Sequence, residues 1–406
     1  MNNLVRPLFI TPLIYQKGNV NAEINTAFID SLPSYFAPTV LCYKADSSIR
    51  SSNVLNINNN ILERIYLHLK LRLLGHKTGF LPDTFYYIWY KKALNVADKY
   101  IKENKIDYIH SFSFPYTSHL VALELKKKYG IPWIAHFYEP WGDNPYRRYS
   151  EKVITSNCAW EDEVVRAADI IIHNSDVICQ SWLNRYGNCL SNRLFSLPMS
   201  FSFRGQSLSA PFYNSQSKLR IVHIGNFYGM RKAMPFLEAL TALLNEKPHF
   251  RKKLNIAFIG EMLAEDIDFI TKHKLDDIVK IFGRKSEEEC VQYYQHSDVF
   301  LVIEGENQGL LFFPSKLIQY YYYNRPIIGL TQQESVLWNE LTMTGHKVYC
   351  PNDFEGIKSC IETALLNYNS LLNYDHDCWT RFEPNNVVEK YIEILNNIFK
   401  YAISSI

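Results

Sequence analysis

Segment 225–232, GNFYGMRK, contains the residue types that best suit the binding of a diphosphate. Gly225 and Gly229 allow a tight turn and a close approach of the backbone to a ligand. Arg231 and Lys232 follow at the entry of a helix-like segment, where two cations and free backbone N–H groups would bind the phosphates. A turn that carries two solvated cations is the alternative interpretation.

A second candidate anion site lies in segment 304–330, EGENQGLLFFPSKLIQYYYYNRPIIGL. Its irregular first part ends at Pro314-Ser315, which predicts a helix start with Ser315 as the N-cap. The apolar run 327–330 predicts a buried strand. A helix N-terminus has about half a positive charge and several free donors. The segment therefore predicts either an anion site or an ordinary α/β unit without a ligand.

In the first half of the chain, polar residues follow a predicted strand in segment 136–143, HFYEPWGD. His136 or Glu139 could hydrogen-bond hydroxyl groups or move a proton, given a suitable pKa. Trp141 and Asp143 belong to the same loop. The alternative is a buried histidine with satisfied hydrogen bonds and a glutamate that caps a backbone group.

Two further polar loops belong to the first half. Segment 111–119, SFSFPYTSH, leads from a predicted strand into a helix at about Thr117, and Gly18-Asn19 follows the first predicted strand. Ligands of open parallel sheets bind beyond the carboxyl ends of the strands. Three polar loops in the first half and a basic turn in the second half therefore predict a two-sided cleft.

The elements that must position these residues alternate between strand-like and helix-like patterns, which indicates parallel sheets covered by helices. In the first half we expect strands at 4–10, 39–43, 107–111, 133–136 and 169–173, and helices at 21–32, 61–74, 85–104, 117–129, 160–168 and 175–186. In the second half we expect strands at 219–225, 254–259, 279–282, 299–303 and 327–330, and helices at 234–245, 265–273, 287–296 and 386–406.

Segment 201–218 is rich in Ser, Gly, Pro and Asn, which is typical of a linker. The pattern predicts two Rossmann-like α/β domains that face each other across a cleft. We place the first at 1–205, a linker at 206–218 and the second at 219–385. The C-terminal helix 386–406 could pack back on the first domain.

Composition excludes several classes of protein. With 406 residues, 47% of them hydrophobic, the chain can form two domains, and a net charge of +2 argues against a dedicated nucleic-acid binder. The N-terminus lacks the pattern of a signal peptide and no apolar run approaches 18 residues, so we expect a cytoplasmic protein. The eight cysteines lack a C-x-x-C pair and the histidines lack metal-binding spacing, so we expect free thiols and no metal.

Helix 61–74 has an apolar face bordered by Arg64, Lys70, Arg72 and Lys77. Such a helix either packs on the sheet with a solvated basic face or lies on an anionic membrane surface. Both interpretations remain open.

Four ordered segments resemble glycosyltransferase family 4 enzymes of the GT-B fold, in the bacterial polysaccharide branch. They are DYIHSFSFPYTSHLVALELKKKYGIPWIAHFYEPW, AADIIIHNSD, LRIVHIGNFYGMRKAMPFLEAL and FPSKLIQYYYYNRPIIGL. The resemblance implies a retaining enzyme that needs no metal or other cofactor. Such an enzyme transfers a sugar from a nucleotide-diphosphate donor to a hydroxyl of a growing surface glycan, such as lipopolysaccharide or capsule, in the cytoplasm or at the inner face of the membrane.

The resemblance also implies roles for individual residues. The implied catalytic residues are His136, Glu139, Arg231 and Lys232. The implied donor-binding residues are Gly225, Asn226, Arg231, Lys232, Ser315, Lys316, Leu317 and Gln319. The implied acceptor-binding or sugar-binding residues are Gly18, Asn19, Ser113, His119 and Trp141.

The chain departs from the family's pattern at four positions. Gln319 replaces the second Glu of an E-x7-E pair, Leu311 replaces the first, Asn226 replaces a loop cation, and Glu139 replaces an Asp. A neutral Gln forms a weaker hydrogen bond to a ribose hydroxyl than a carboxylate does. A GT-B protein that binds without catalysis and a sugar-nucleotide epimerase are therefore alternative functions.

Overall fold

A computed structural model describes residues 4–16, 18–45, 53–63, 65, 66, 69, 83, 85–142, 144, 150–203, 217–305 and 310–399. The chain divides into two compact units. The first comprises Met1–Ser202 together with Arg381–Ile406, and the second comprises Phe203–Thr380. The second unit thus ends five residues before the predicted position 385, and most of the predicted linker 206–218 lies outside the described residues.

The first unit contains a seven-stranded parallel sheet in the order β3-β2-β1-β4-β5-β6-β7. Buried apolar runs form its central strands, as expected for a parallel sheet that is covered on both faces. The strands are β1 (Pro7–Ile10), β2 (Thr39–Tyr43), β3 (Asn53–Ile57), β4 (Tyr108–Phe112), β5 (Trp133–Phe137), β6 (Ile170–His173) and β7 (Leu194–Ser196).

Helices that the structure describes from end to end connect most of these strands. They are α1 (Val20–Asp30), α2 (Lys91–Glu103), α3 (Thr117–Tyr129), α4 (Glu151–Ala167) and α5 (Asp176–Tyr186), and a π-helical turn, Tyr86–Tyr90, leads into α2. Local residues explain the start of α1 and the end of α3. Asn19 accepts a hydrogen bond from the Ala22 N–H at the start of α1, and Gly130 ends α3 in the left-handed conformation with φ 67°.

Three features of the first unit differ from the prediction. The edge strands β3 and β7 were not predicted, because NVLNI and LFS are too short to show a clear strand pattern. Helix α4 begins nine residues before the predicted residue 160, since its first turns are mostly polar and lack an apolar period. The predicted helix 61–74 lies largely outside the described residues, which include helical positions at 61–63, 65, 66 and 69.

The second unit contains a six-stranded parallel sheet in the order β10-β9-β8-β11-β12-β13. Its strands are β8 (Leu219–Ile224), β9 (Leu254–Ile259), β10 (Val279–Ile281), β11 (Val299–Ile303), β12 (Ile327–Leu330) and β13 (Lys347–Tyr349). Its helices are α6 (Met234–Glu246), α7 (Ala264–Lys272), α8 (Glu287–His296), α9 (Lys316–Tyr322), α10 (Val336–Met343) and α11 (Phe354–Leu366).

Packing in the second unit follows from alternating side chains along its strands. Ile221 of β8 and Ile256 of β9 point to the face that buries Leu240 of α6 and Ile361 of α11. Tyrosines 320–323 are all buried and belong to the core of this unit. The sequence pattern did not predict α10, β13 and α11, although each forms part of this unit.

A terminal helix, α12 (Pro384–Phe399), belongs to the first unit. Its Tyr391 is fully buried and packs edge-on against Phe28 of α1, with ring centroids 4.9 Å apart. The Tyr391 hydroxyl lies 2.8 Å from His110 Nδ1 and donates to the Tyr108 hydroxyl at 3.0 Å. Within the described parts of the chain, no helix has both the length and the apolar character needed to cross a bilayer.

Replacing Tyr391 by Phe should lower the free energy of unfolding by about 1–3 kcal/mol, because His110 Nδ1 would lose its buried partner. Urea denaturation measures the change. Tyr374→Phe is a matched control, since the buried Tyr374 hydroxyl has no hydrogen-bond partner among the described residues. Tyr374→Phe should be neutral or stabilising. An equal loss of unfolding free energy in both variants would contradict the hydrogen bond between Tyr391 and His110.

Candidate functional site

The carboxyl ends of β8, β9, β10 and β11 lie at one edge of the second sheet, because the strands are parallel. Two glycine turns meet there. The Gly225 N–H donates to the Ile259 carbonyl at 2.7 Å, and the Gly260 N–H donates to the Gly283 carbonyl at 2.8 Å. A Cβ on Gly260 would collide with the Gly225 carbonyl. This close contact explains why glycine stands in the turn after β9.

Lys316 places its amine against Gly225. A Cβ on Gly225 would collide with Lys316 Nζ and would lie 3.4 Å from His223 Nε2. The Nζ atom is enclosed, and it has no hydrogen-bond partner among the residues described. Burial and then the Arg231 charge lower the pKa of this amine to about 7, while Glu304 acts in the opposite direction.

Arg231 is nearly buried and forms an ion pair with the buried Glu304, which follows β11 directly. Its guanidinium group also lies over the ring of Tyr228, 4.8 Å from the ring centroid. The prediction missed the role of Glu304. Its position immediately after an apolar strand, at the edge where ligands bind, was the available signal.

His223, on β8, was also missed because it stands within an apolar strand. Its Nδ1 lies 3.0 Å from the Leu301 carbonyl, so Nδ1 carries the proton and Nε2 faces the Gly225 turn with a lone pair. Burial, followed by the Lys316 and Arg231 charges, holds the pKa of His223 well below its ordinary value.

The predicted basic pair is split. Lys232 forms an ion pair with Glu265 at 2.8 Å, and its side chain is 37% exposed, whereas Arg231 points into the buried cluster. Asn226 Oδ1 accepts a hydrogen bond from the Glu261 N–H at 2.9 Å, which ties the turn after β8 to the end of β9. The asparagine at this position therefore has a structural bond of its own.

Helix α9 starts where the sequence predicted, but the hydrogen bonding at its start differs from the prediction. Ser315 already has helical torsion angles, φ −55° and ψ −28°, and its side chain makes no capping hydrogen bond. Leu317 is fully buried, Gln319 is 9% exposed and Leu311 is half-buried. Ser315 thus occupies the predicted N-cap position without forming the expected capping hydrogen bond. Lys316, the first residue of α9, brings its Nζ atom to the Gly225 turn.

In the first unit, His136 belongs to a chain of buried groups that begins at Tyr391. Because the Tyr391 hydroxyl donates to Tyr108, it accepts from His110 Nδ1–H, and His110 Nε2 then accepts from His136 Nδ1 across 3.3 Å. This network gives His136 a free lone pair on Nε2, which has no partner among the described residues. Burial lowers the pKa of His136 to about 3, so the imidazole is neutral.

Other predicted residues of the first unit are core residues. Ser113, His119 and Trp141 have no exposed surface. His119 Nδ1 lies 2.7 Å from Ser111 Oγ, and the Trp141 ring stacks on Tyr116 with centroids 4.8 Å apart. A direct contact between Trp141 and a sugar would require this ring to leave the core.

The remaining predicted residues lie in loops. Glu139 is half-buried and accepts a hydrogen bond from the Tyr116 hydroxyl at 3.2 Å. Gly18, with φ 77°, donates its N–H to Glu23 Oε1 at 3.2 Å, and Asn19 caps α1. Asp143 lies outside the described residues.

The eight cysteines are free thiols. No group of three or more His, Cys, Asp or Glu side chains in the described ranges is arranged to hold a metal ion. A cavity of about 220 Å3 lies on the sheet face beside α8, away from every predicted site residue. It is lined by Arg220, Val222, Asn255, Ala257, Phe282, Gln292, Tyr293 and His296.

Comparison with solved structures shows that the chain has the GT-B fold. Sucrose-phosphate synthase from Thermosynechococcus elongatus superimposes with a TM-score of 0.65 and 14% identity, covering 98% of this chain and 99% of that one. HepE from Anabaena in complex with UDP-glucose superimposes with a TM-score of 0.63 and 12% identity, covering 96% of this chain and 99% of that one. A glycosyltransferase from Rickettsia africae superimposes with a TM-score of 0.58 and 13% identity, covering 98% of this chain and 100% of that one.

No protein-family model and no curated protein matches the sequence. The structural matches confirm the predicted fold class, two Rossmann-like α/β domains with parallel sheets. At these identities the similarity establishes the fold.

Acid should destabilise the first unit, because four buried histidines are neutral there. Burial lowers the pKa values of His110, His119, His136 and His173, so the unfolded chain binds more protons between about pH 3 and 6.5. Stability therefore rises with pH in this window and is lost as the pH falls below about 6.5, by about 1 kcal/mol per pH unit for each histidine.

Urea denaturation between pH 7.5 and 5 tests this expectation. His173→Leu should make the dependence less steep by about 1 kcal/mol per pH unit, since neither ring nitrogen has a partner among the described residues. The exposed His249 provides the control, and His249→Gln should leave the slope unchanged. Equal slopes in the three proteins would contradict the assignment.

Proposed function

We propose that this chain, which has the GT-B fold, transfers a sugar from a nucleoside-diphosphate donor to a hydroxyl group of an acceptor. The cation cluster beside Gly225 carries the proposal. A diphosphate requires positive charge and close backbone approach at the carboxyl edge of a parallel sheet, and Lys316 and Arg231 supply charge beside the Gly225 turn. Two of the similar structures, both of HepE from Anabaena, support this class of donor, since one is a complex with UDP-glucose and the other with UDP and glucose.

In the proposed reaction, the acceptor oxygen forms a bond to the anomeric carbon while the bond from that carbon to the diphosphate oxygen breaks. The acceptor proton passes to the leaving diphosphate. Negative charge grows on this leaving group, so cations that are already in place stabilise the transition state more than the ground state. We propose that Lys316 and Arg231 have this role and that no metal ion is needed.

His136 and Glu139 are the proposed sugar-side groups of the first unit. The neutral His136 of β5 offers the Nε2 lone pair to a hydroxyl, and Glu139 lies half-buried in the loop that follows β5. With retention of configuration at the anomeric carbon, Glu139 would stabilise positive charge on the sugar ring. Gly18, Asn19, Ser113, His119 and Trp141 would then support or border the acceptor region, and Gln319 would contact the ribose.

The proposed acceptor is a growing surface glycan of a bacterium, such as lipopolysaccharide or capsule. An exposed apolar stripe in the first unit supports contact with a membrane surface. Its helical residues are large, hydrophobic and 51–78% exposed: Ile61, Leu62, Ile65, Tyr66 and Leu69. Contiguous exposed apolar side chains commonly mark a membrane or protein contact. The enzyme would work from the cytoplasm at the inner face of the membrane.

Screening nucleotides tests the proposed activity. UDP, ADP, GDP and their glucose conjugates are added in thermal unfolding, where a ligand at 100 times its Kd stabilises the folded state by about 2.7 kcal/mol. The nucleotide sugar that stabilises best is then incubated with and without a hydroxyl acceptor. Transfer of the sugar supports the proposal. Binding without turnover would identify a non-catalytic protein, and a changed sugar configuration without acceptor would identify an epimerase.

Gly225→Ala should weaken nucleotide binding at least about tenfold, a loss of about 1.4 kcal/mol, because the new Cβ would collide with the Lys316 amine. Calorimetric titration measures the loss, and circular dichroism checks the fold. Gly130→Ala is the matched control, since Gly130 also has a positive φ but no atom lies within 4 Å of its added Cβ. Unchanged affinity in Gly225→Ala would exclude this turn from the donor site.

The membrane contact has its own test, co-sedimentation with vesicles that contain anionic phospholipid. Leu62→Glu together with Ile65→Glu should abolish binding, because two carboxylates would replace apolar groups that are 78% and 52% exposed. Met343→Glu is the control, since Met343 is 64% exposed but belongs to the second unit. Equal binding of all three proteins would contradict the proposed surface.

A further inference from the structure

Lys316 holds its amine where the described residues provide no hydrogen bond. The residue keeps some exposed surface, yet Nζ itself is enclosed beside Gly225. A buried ammonium group without hydrogen bonds is costly, because nothing replaces the water that it loses. The amine therefore loses its proton more easily than an exposed lysine does, with a pKa lowered to about 7 by burial first and the Arg231 charge second.

The charged and titratable groups that face this amine come from three elements. His223 of β8 is neutral near pH 7, since burial and the two nearby cations lower its pKa well below the ordinary value. Arg231, in the turn after β8, remains charged and is paired with Glu304 after β11. Near pH 7 the described part of this cluster thus holds one ion pair and an amine that is about half protonated.

We propose that Lys316 takes up a proton when a nucleoside diphosphate binds, so that its amine becomes the cation that faces the leaving diphosphate. This inference rests on the donor site proposed above. An anion next to a buried amine favours the protonated form. The other two cations already have carboxylate partners, Glu304 for Arg231 and Glu265 for Lys232.

The step transfers one proton from solvent to Nζ, breaks no covalent bond and reverses when the nucleotide leaves. It makes binding dependent on pH. Above about pH 7 the free protein must be protonated in order to bind, so Kd rises with pH by up to about tenfold per unit. The side chains of the site thus carry less positive charge when the site is empty than when the diphosphate is bound.

Isothermal titration with UDP at pH 8 measures the proton directly, because the heat then depends on the ionisation enthalpy of the buffer. Tris and HEPES provide two different enthalpies. UDP is fully ionised at pH 8, since the second pKa of a terminal phosphate is about 6, so any proton taken up is bound by the protein. We expect about 0.9 proton per nucleotide and a Kd that rises about five- to tenfold between pH 7.5 and 8.5. If the thermal screen selects ADP or GDP, that nucleotide replaces UDP.

Lys316→Met assigns the proton to this residue. Methionine replaces the amine by an apolar side chain of similar length, and the variant should bind UDP at least about tenfold more weakly at pH 7, with no proton uptake at pH 8. Lys272→Met is the control. Lys272 is exposed at the end of α7 that is remote from the strand carboxyl ends, and its loss should leave the uptake unchanged.

Three results would overturn the inference. Binding by the unmodified protein with less than about 0.2 proton taken up at pH 8 would exclude a coupled amine but would leave the donor site intact. Persistent uptake in Lys316→Met would assign the proton to another group. No binding of UDP, ADP or GDP would overturn the proposed function and this inference with it. If Lys316→Met does not fold, uptake of less than about 0.2 proton by the unmodified protein still overturns the inference.

Discussion

Burial of two cations with one carboxylate beneath a glycine turn is the constraint on which the edge of the second sheet depends. Lys316 and Arg231 repel each other, and Glu304 compensates for one of them only. The arrangement is tolerable because a lysine, unlike an arginine, can release its proton when it is buried. An anion bound beside the amine would favour its protonated form. In the proposed donor complex, the diphosphate would recover part of the free energy that burial of the cluster costs.

The position of the amine depends on the tyrosines that follow it. The Tyr320 hydroxyl accepts a hydrogen bond from the Ile224 N–H at 2.8 Å, at the last residue of β8, and its ring stacks on Phe300 of β11 with centroids 4.2 Å apart. Both contacts fix α9 relative to the two strands that bear Gly225 and Glu304. Tyr320, a buried core residue, therefore also positions Lys316, four residues earlier in the chain.

Much of the framework could be predicted from the sequence, because buried parallel strands are apolar runs whose carboxyl ends define the ligand edge. The edge strands β3, β7 and β13 could not, since NVLNI, LFS and KVY do not form buried apolar runs. The sequence showed where polar and basic candidate residues follow predicted strands, but it did not show their partners. Arg231 pairs with a residue 73 positions away, and local spacing contains no information on such a contact. Trp141 shows the same limit, because a loop tryptophan looks alike in sequence whether it is exposed or stacked in the core.

Asn226, a neutral residue where the family resemblance implies a cation, has a structural role of its own. Asn226 uses its side-chain oxygen to hold the Glu261 N–H, a bond that a cation could not accept. The cation that the family resemblance implies at position 226 is thus absent. Lys316 brings an amine to the neighbouring Gly225 from another segment. Position in space, rather than position in the motif, decides which side chain can meet an anion there. A cation that arrives from α9 also differs from one in the turn, because its protonation depends on how completely the turn covers it.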